Sequence, residues 1–324
     1  MTQPVLGIDI AKLKFNVCLI NQQGKLKQKI LANTPTGFEQ LSEWLTKQGV
    51  QCVHACMEAT GTYGEALALF LHQAHHTVSV VNPAAIKAFA QSRLSRTKTD
   101  RVDAELIARF GLAQAPPRWT PLPPEVRELQ ALVRRLESLI EMRVMEENHL
   151  SSGITVDRVR QSVEELLNHL NEQSKRCEEL IRTHISNHPR LRRESELLDS
   201  IPGIAETTAA LLLSERVDIQ QYSSARQVAA YAGLVPRERH SGSSVRGRTR
   251  LSKIGNARLR KALYFPAITA LRCSEFFQTW AEGLLQRGKS KKSVICAVIR
   301  KLVHVAYGVL KNGKAFDPTW AKSA

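Results

Sequence analysis

Four carboxylates, Asp9, Glu58, Asp100 and Asp103, are spaced so that a sheet-and-helix domain would bring them to one place. Carboxylate oxygens are hard donors suited to a divalent cation such as Mg2+, which takes one or two of them together with substrate phosphates. The chain around them is basic, with 46 Lys and Arg against 30 Asp and Glu, a net charge of +16. A body of that sign suits a polyanion. Acids converging inside a basic protein point to phosphodiester chemistry on nucleic acid. Asp9 lies mid-strand in Gly7-Ile8-Asp9-Ile10-Ala11, where a charge is costly unless something compensates it. Glu58 ends the apolar run from Val53 to Met57, at the end of a strand, where open sheets place ligands. Asp100 and Asp103 are three apart at a helix start and so share a face. Taken alone, acids in a first helical turn also serve simply to meet the helix dipole.

A second candidate centre lies in residues 237–261, where nine Lys and Arg stand against the single acid Glu238, a net of +8. Within it Ser241-Gly242-Ser243-Ser244 is followed by Arg246, Arg248, Arg250 and Lys253. Serines and backbone N–H groups in such a loop can merely hold a phosphate strand. Alternatively one serine is a nucleophile, weak until deprotonated or metal-activated, with arginines stabilising charge on the transferring phosphoryl group. His240 adjoins Ser241, although neighbouring side chains often point apart. Arg93, Arg96 and Lys98 precede the acidic pair, and Lys289, Lys291 and Lys292 read as a basic turn between the last two helices. All are candidates for backbone contact, with a solvated basic face as the plainer alternative. His75-His76 lacks ligand-spaced partners and reads as a surface turn.

The elements that must position these residues follow from periodicity. Residues 5–20 alternate like a strand, a turn follows at Asn21–Gly24, and a second strand covers 25–32. A helix is expected over 38–47, a strand over 52–57, a helix over 64–73, a strand over 77–81, then helices over 83–91 and 100–112. Hairpin strands followed by alternating strands and helices imply an α/β domain with a mixed sheet, ending near 115. Five prolines fall within 115–124 and mark a boundary. Residues 125–190 read as two long charged helices hinged near Ser151-Ser152-Gly153, a coiled-coil arm or a compact helical pair. Residues 195–324 read as a mainly helical domain, with helices over 206–213, 224–232, 256–271, 275–287 and 293–311. Ile201-Pro202-Gly203-Ile204-Ala205 resembles a helix-hairpin-helix turn in which Ala205 replaces the usual second glycine.

Composition excludes other classes. No run approaches about 18 uninterrupted apolar residues, so no membrane-spanning helix is expected, and the amino terminus runs directly into a strand without a signal-like leader. The six cysteines are scattered without metal-ligand spacing, consistent with buried, reduced thiols in a cytosolic protein.

An acid on the first strand, one after the fourth and a pair on a late helix resemble the ribonuclease-H-like nucleases, and within them the RuvC-like Holliday-junction resolvases. More specifically, Gly7-Ile8-Asp9-Ile10-Ala11-Lys12, Glu58-Ala59-Thr60-Gly61, Asn82-Pro83 and Lys98-Thr99-Asp100-Arg101-Val102-Asp103-Ala104 resemble the DEDD-type insertion-sequence transposases over nearly the whole chain. The resemblance implies an acidic RuvC-like domain at 1–115, a coiled-coil arm at 125–190 and a helical transposase domain at 195–324. It implies Mg2+ on Asp9, Glu58, Asp100 and Asp103. It also implies a catalytic serine, which by position in the Ser-Gly-Ser-Ser-x-Arg-Gly motif is Ser241, linked covalently to DNA in a site composed from two protomers. A structured guide RNA from the element, a dimer or tetramer, and a cytoplasmic, nucleoid-associated location complete what it implies. Two rivals are a metal-only nuclease in which water attacks, and a non-enzymatic nucleic-acid binding protein.

Overall fold

A computed structural model of the chain describes residues 3–59, 61–93, 99–215, 222–237, 240–241, 245–246 and 250–319. It divides into two compact units, Met1–Leu122 and Pro123–Ala324.

The first unit opens with a hairpin. β1 (Val5–Ile10) and β2 (Lys14–Ile20) run antiparallel, and β3 (Leu26–Ala32) extends the ladder from β2. The single alternating run expected over 5–20 is therefore two strands. The reversal at Ala11-Lys12-Leu13 contains no Gly or Pro, so composition does not mark it. α1 (Pro35–Lys47) starts earlier than expected because Pro35 takes its first position and Thr34 caps it, accepting from the Gly37 N–H. β4 (His54–Glu58), a 3-10 turn at Thr62–Gly64, α2 (Glu65–Gln73), β5 (Thr77–Val81), α3 (Pro83–Ser92) and α4 (Asp100–Gln114) follow. The sheet order is β3-β2-β1-β4-β5, with β4 parallel to β1 and β5 parallel to β4. This mixed sheet agrees with the ribonuclease-H-like α/β fold that the resemblance implied.

The two sheet faces differ in kind. One buries Leu6, Ile8, Phe15, Val17, Leu19 and Met57 with Phe38, Leu41, Leu45, Leu67 and Leu71 of α1 and α2; each full burial contributes about 1.5–3 kcal/mol. The other face receives α4 through a stripe of small residues, Ala104, Ala108 and Gly111. A Cβ on Gly7 would lie 2.2 Å from both the Ala104 carbonyl oxygen and the Ala108 nitrogen, and one on Gly111 would lie 2.5 Å from Cys56 Sγ. Helix and strand thus meet at backbone distance. One sheet edge is covered, since the Trp119 N–H donates to the Val78 carbonyl and Ser79 Oγ lies 3.1 and 2.8 Å from the carbonyls of Pro116 and Pro117. At the other edge, among the described residues no strand pairs with the outer side of β3, which carries Lys27 and Lys29. His76, expected at the surface, is buried and accepts from the Val53 N–H. Cys18, Cys56 and Cys177 are buried as expected, but Cys52 and Cys273 are exposed.

The second unit begins with α5 (Pro124–Ser151) and α6 (Asp157–Asn187). They are antiparallel, since Glu125 faces His184, Leu132 faces Cys177 and Arg143 faces Asn171 across the pair. α7 (Pro189–Asp199), α8 (Glu206–Ser214) and α9 (Ala225–Tyr231) follow. Four two-residue strands come next: β6 (Pro236–Arg237), β7 (His240–Ser241), β8 (Val245–Arg246) and β9 (Arg250–Leu251). The chain ends in α10 (Ala257–Ala262), α11 (Tyr264–Cys273), α12 (Glu275–Gln286) and α13 (Lys291–Asn312). The single helix expected over 256–271 breaks at Leu263, where Pro266 supplies no N–H to continue it. Lys291 and Lys292, expected in a turn, occupy the first turn of α13 behind the Ser290 cap. α13 is long and apolar enough to cross a membrane by length and composition, although Arg300 and Lys301 interrupt its apolar run. Here it buries Val298, Leu302, Val305 and Val309 within the helical unit, as a core helix does.

Candidate active site

Sheet register brings the first two acids together. Ile8 pairs with Met57 on adjacent parallel strands, so Asp9 and Glu58 are the next residues on each. In-register neighbours on parallel strands are about 4.8 Å apart and point to the same face. That face is the one Gly7 presents to α4, because Gly7 and Asp9 are two apart on β1. α4 crosses Gly7 at Ala104 and Ala108, which sets its first turn, with Asp100 and Asp103, beside Asp9. Thr99 Oγ1 caps this helix by accepting from the Val102 N–H, so the acids are not required as caps. The electrostatics agree with this placement. Burial and the carboxylates of Asp103, Asp100 and Glu58 push the Asp9 carboxyl up from 3.8 to about 6, while Lys14 pulls it down.

Lys14 is a participant that the sequence reading missed. Its Nζ lies 3.2 Å from Asp100 Oδ2, with both side chains about half exposed (50% and 57%), an ion pair of at most about 1 kcal/mol. Alternation along β2 was the available signal, since Asn16 faces Asp9 across the ladder and Lys14 is two residues further on the same face. The donor chemistry and the excess negative charge fit a divalent cation. Among the described residues, however, no three His, Cys, Asp or Glu side chains already stand as a ligand set, so closing around an ion requires rotamer adjustment. The loops beyond the acids are joined by Asn33, whose Nδ2 donates to the carbonyls of Ala11 and Tyr63.

In the second unit the described parts of the residues expected to form a basic loop are four short strands in two antiparallel pairs, a ribbon described only in part. Arg237 pairs with Arg250 in the outer rung, and Ser241 pairs with Val245 in the inner one. The root is a glycine-dependent crossing: Gly233 and Gly255 have φ of +69° and +134°. A Cβ on Gly255 would meet the Tyr231 carbonyl at 2.2 Å. Asn256 caps α10 and donates from Nδ2 to Glu215 Oε2 at 2.8 Å, while Arg258 Nε lies 3.1 Å from Glu215 Oε1. Arg258 also pairs with Glu137, Lys261 pairs with Glu141, and Arg260 donates to the Ala232 carbonyl. Three of the nine cations counted in 237–261 are therefore committed to holding the ribbon's root. Arg237, Arg250 and Lys253 are exposed.

The other expected contacts fall variously. Arg93 is exposed, with its guanidinium 5.7 Å from the Phe89 ring centroid, and Lys291 and Lys292 are exposed. Arg96, Lys98 and Arg248 lie outside the described residues, as do Ser243 and Ser244. Of His240, Ser241 and Arg246 only the backbone is described. In the hairpin-like turn, Gly203 has φ +90° and its Cβ position is 2.3 Å from the Pro266 carbonyl. Packing on α11 thus accounts for this glycine.

Comparison with known proteins gives consistent matches along the chain. The family model for DEDD transposases of the IS110 type, described as a transposase, matches residues 6–161. That of the IS116/IS110/IS902 transposase family matches residues 195–281. The pilin gene-inverting protein of Moraxella bovis is 34% identical over 320 residues, 98% of each chain. Its namesake in Moraxella lacunata is 33% identical over the same length. The transposase for insertion sequence element IS1328 of Yersinia enterocolitica is 27% identical across 97% of this chain and 98% of its own.

Proposed function

The chain belongs to the DEDD-type insertion-sequence transposases and acts on DNA as a recombinase; from that premise we propose that it exchanges strands through Ser241, assisted by Mg2+ at the four acids. The observation that carries this reading is the register that sets Asp9 beside Glu58, with the crossing at Gly7 that brings α4 and its Asp100 and Asp103 to the same sheet face. Like charges so arranged in a partly buried setting are expensive unless a cation shares them. Mg2+, when bound there, supplies charge neutralisation for a phosphate and for the oxygens entering and leaving phosphorus. Asp9 and Glu58 would hold it from the sheet, and Asp100 and Asp103 from α4. Ser241 would form the new P–O bond as the bond to the deoxyribose oxygen breaks. The proton leaving Oγ would be matched by one taken up by the departing oxygen, so one phosphodiester replaces another. Arg250 and Lys253, with Arg246 and Arg248, would grip the strand's phosphates. Arg93, Arg96, Lys98, Lys291 and Lys292 would extend that contact.

In this reading the regions 1–115, 125–190 and 195–324 are an acidic catalytic domain, a coiled-coil arm for assembly and a serine-bearing domain. The protein works as a dimer or tetramer at the bacterial nucleoid. A structured RNA from the element selects donor and target by base pairing, leaving the protein to hold backbones. The test is a denaturing gel of labelled element-junction and target DNA incubated with protein, Mg2+ and the element's end transcript. A covalent protein–DNA adduct that is lost in Ser241→Ala is expected. Cleavage without an adduct, surviving in Ser241→Ala but not in Asp9→Ala, would make this a nuclease in which water attacks.

A further inference from the structure

The acids come from two strands, and each strand's last residues enter a loop: β1 leads from Asp9 to Ala11, and β4 leads from Glu58 towards Tyr63. Asn33, between β3 and α1, touches both loops. Its side-chain amide donates to the Ala11 carbonyl at 3.2 Å and to the Tyr63 carbonyl at 3.1 Å, using both of its N–H bonds. Its own backbone N–H donates to the Leu13 carbonyl at 2.9 Å, and the turn is closed by Ala11 N–H to Lys14 carbonyl at 2.9 Å. Asn33 is itself fixed from behind. Thr34 caps α1, and Gly37 sits so close to β3 that a Cβ there would lie 1.9 Å from the Ala32 carbonyl. No other residue type combines two donors on one planar group with a stem this short.

We infer that Asn33 is a positioning residue which locks the loop after β1 to the loop after β4 and so fixes the separation of Asp9 and Glu58. The carboxylates sit two and five residues upstream of the two carbonyls it holds, so releasing either loop loosens the end of the strand that carries its acid. The inference rests on the reading of those acids as a cation site. Partners outside a metal's own ligands set their orientation, and losing one typically weakens binding by roughly 10–100-fold.

The experiment uses the full chain in three forms, Asn33→Leu, Asn33→Ala and Asn33→Gln, with two readouts. Hydrogen exchange monitored in peptides spanning 9–15 and 58–66 reports on the lock, and Mn2+ titration followed by its paramagnetic resonance reports on the site. Faster exchange in both peptides together, with Mn2+ affinity lowered roughly tenfold or more in the Leu and Ala variants and partly restored by the Gln amide, is the expected result. Unchanged exchange in the 58–66 peptide overturns the lock, whatever happens to the metal. Faster exchange with unchanged Mn2+ affinity reduces Asn33 to a turn-forming residue and overturns its positioning role. Should the Leu variant fail to fold, the Ala and Gln pair still decides the matter. A wild type that binds no Mn2+, even at millimolar concentration, would sink the cation-site reading instead, and the exchange arm would still judge the lock.

Discussion

Replacing Asp9 with Asn removes a charge while keeping shape, and the structure says how much that should matter. Burial and three carboxylate neighbours raise the Asp9 carboxyl from 3.8 to about 6. The folded chain therefore keeps this proton to a higher pH than the unfolded chain does. Stability falls as pH rises between about 4 and 6 and is level above that window, the reverse of a salt-bridged acid. Carrying the group across that interval costs the folded state about 3 kcal/mol at neutral pH. With part of the side chain open to water, roughly half of this survives. The change keeps the hydrogen bonds of Asn33 and the Lys14–Asp100 pair, and removes the repulsion from three acids together with the smaller attraction of Lys14. Urea unfolding of the full chain in a chelating buffer, read by hydrogen exchange in β1 and β4 peptides, should show Asp9→Asn more stable than wild type. The gap should be about 1.5 kcal/mol at pH 7.5 and shrink to about a third of that at pH 4.5. Strand cleavage should be lost in the same protein. A gap that does not widen with pH, or a wild type that is the more stable at pH 7.5, would refute the claim that Asp9 is held among like charges.

Two further outcomes follow from the packing and the charge. Gly7→Ala puts a methyl 2.2 Å from the backbone of α4 at Ala104 and Ala108; the helix must shift by about 1 Å or more to restore contact distance. The fold should lose about 1–3 kcal/mol, and Mg2+-dependent cleavage should fall far more than DNA binding; equal losses in both would show that α4's placement does not govern the acids. Changing Arg250 and Lys253 together to Gln should lower the dependence of log affinity on log salt by about 2 in DNA titrations. An unchanged slope would remove both from the interface.

Much of this was legible in the sequence, and the misses share a cause. Asp9 and Glu58 could be placed because strand alternation and apolar flanks are local signals. The first reversal of the sheet was missed because period two continues through Ala11-Lys12-Leu13 without a turn residue, whereas the hairpin turning at Asn21–Gly24 was legible. Lys14 and Asn33 were overlooked because their contacts are set by register across strands, which no window of sequence reports. The charge of residues 237–261 was read as one basic surface, yet Arg258, Arg260 and Lys261 are spent on Glu137, Glu215, Glu141 and the Ala232 carbonyl. Those acids lie between about 40 and 120 residues away, beyond any local pattern. Ser241's loop became a ribbon because strand pairs two residues long leave too little alternation to detect.

The unequal edges of the sheet carry a consequence for solubility. Along β5 the segment through Trp119 lies on the edge and its N–H already takes the Val78 carbonyl, which obstructs pairing there. Along β3, among the described residues, no strand pairs with the outer side of a seven-residue strand, and Ile30 is 60% exposed there; such an edge is a template for another strand. Lys27 and Lys29 guard it, since a second copy arriving edge to edge would bring the same two ammonium groups against them. Part of the positive charge of this chain thus keeps its copies apart as strands, independently of what the rest does with phosphates.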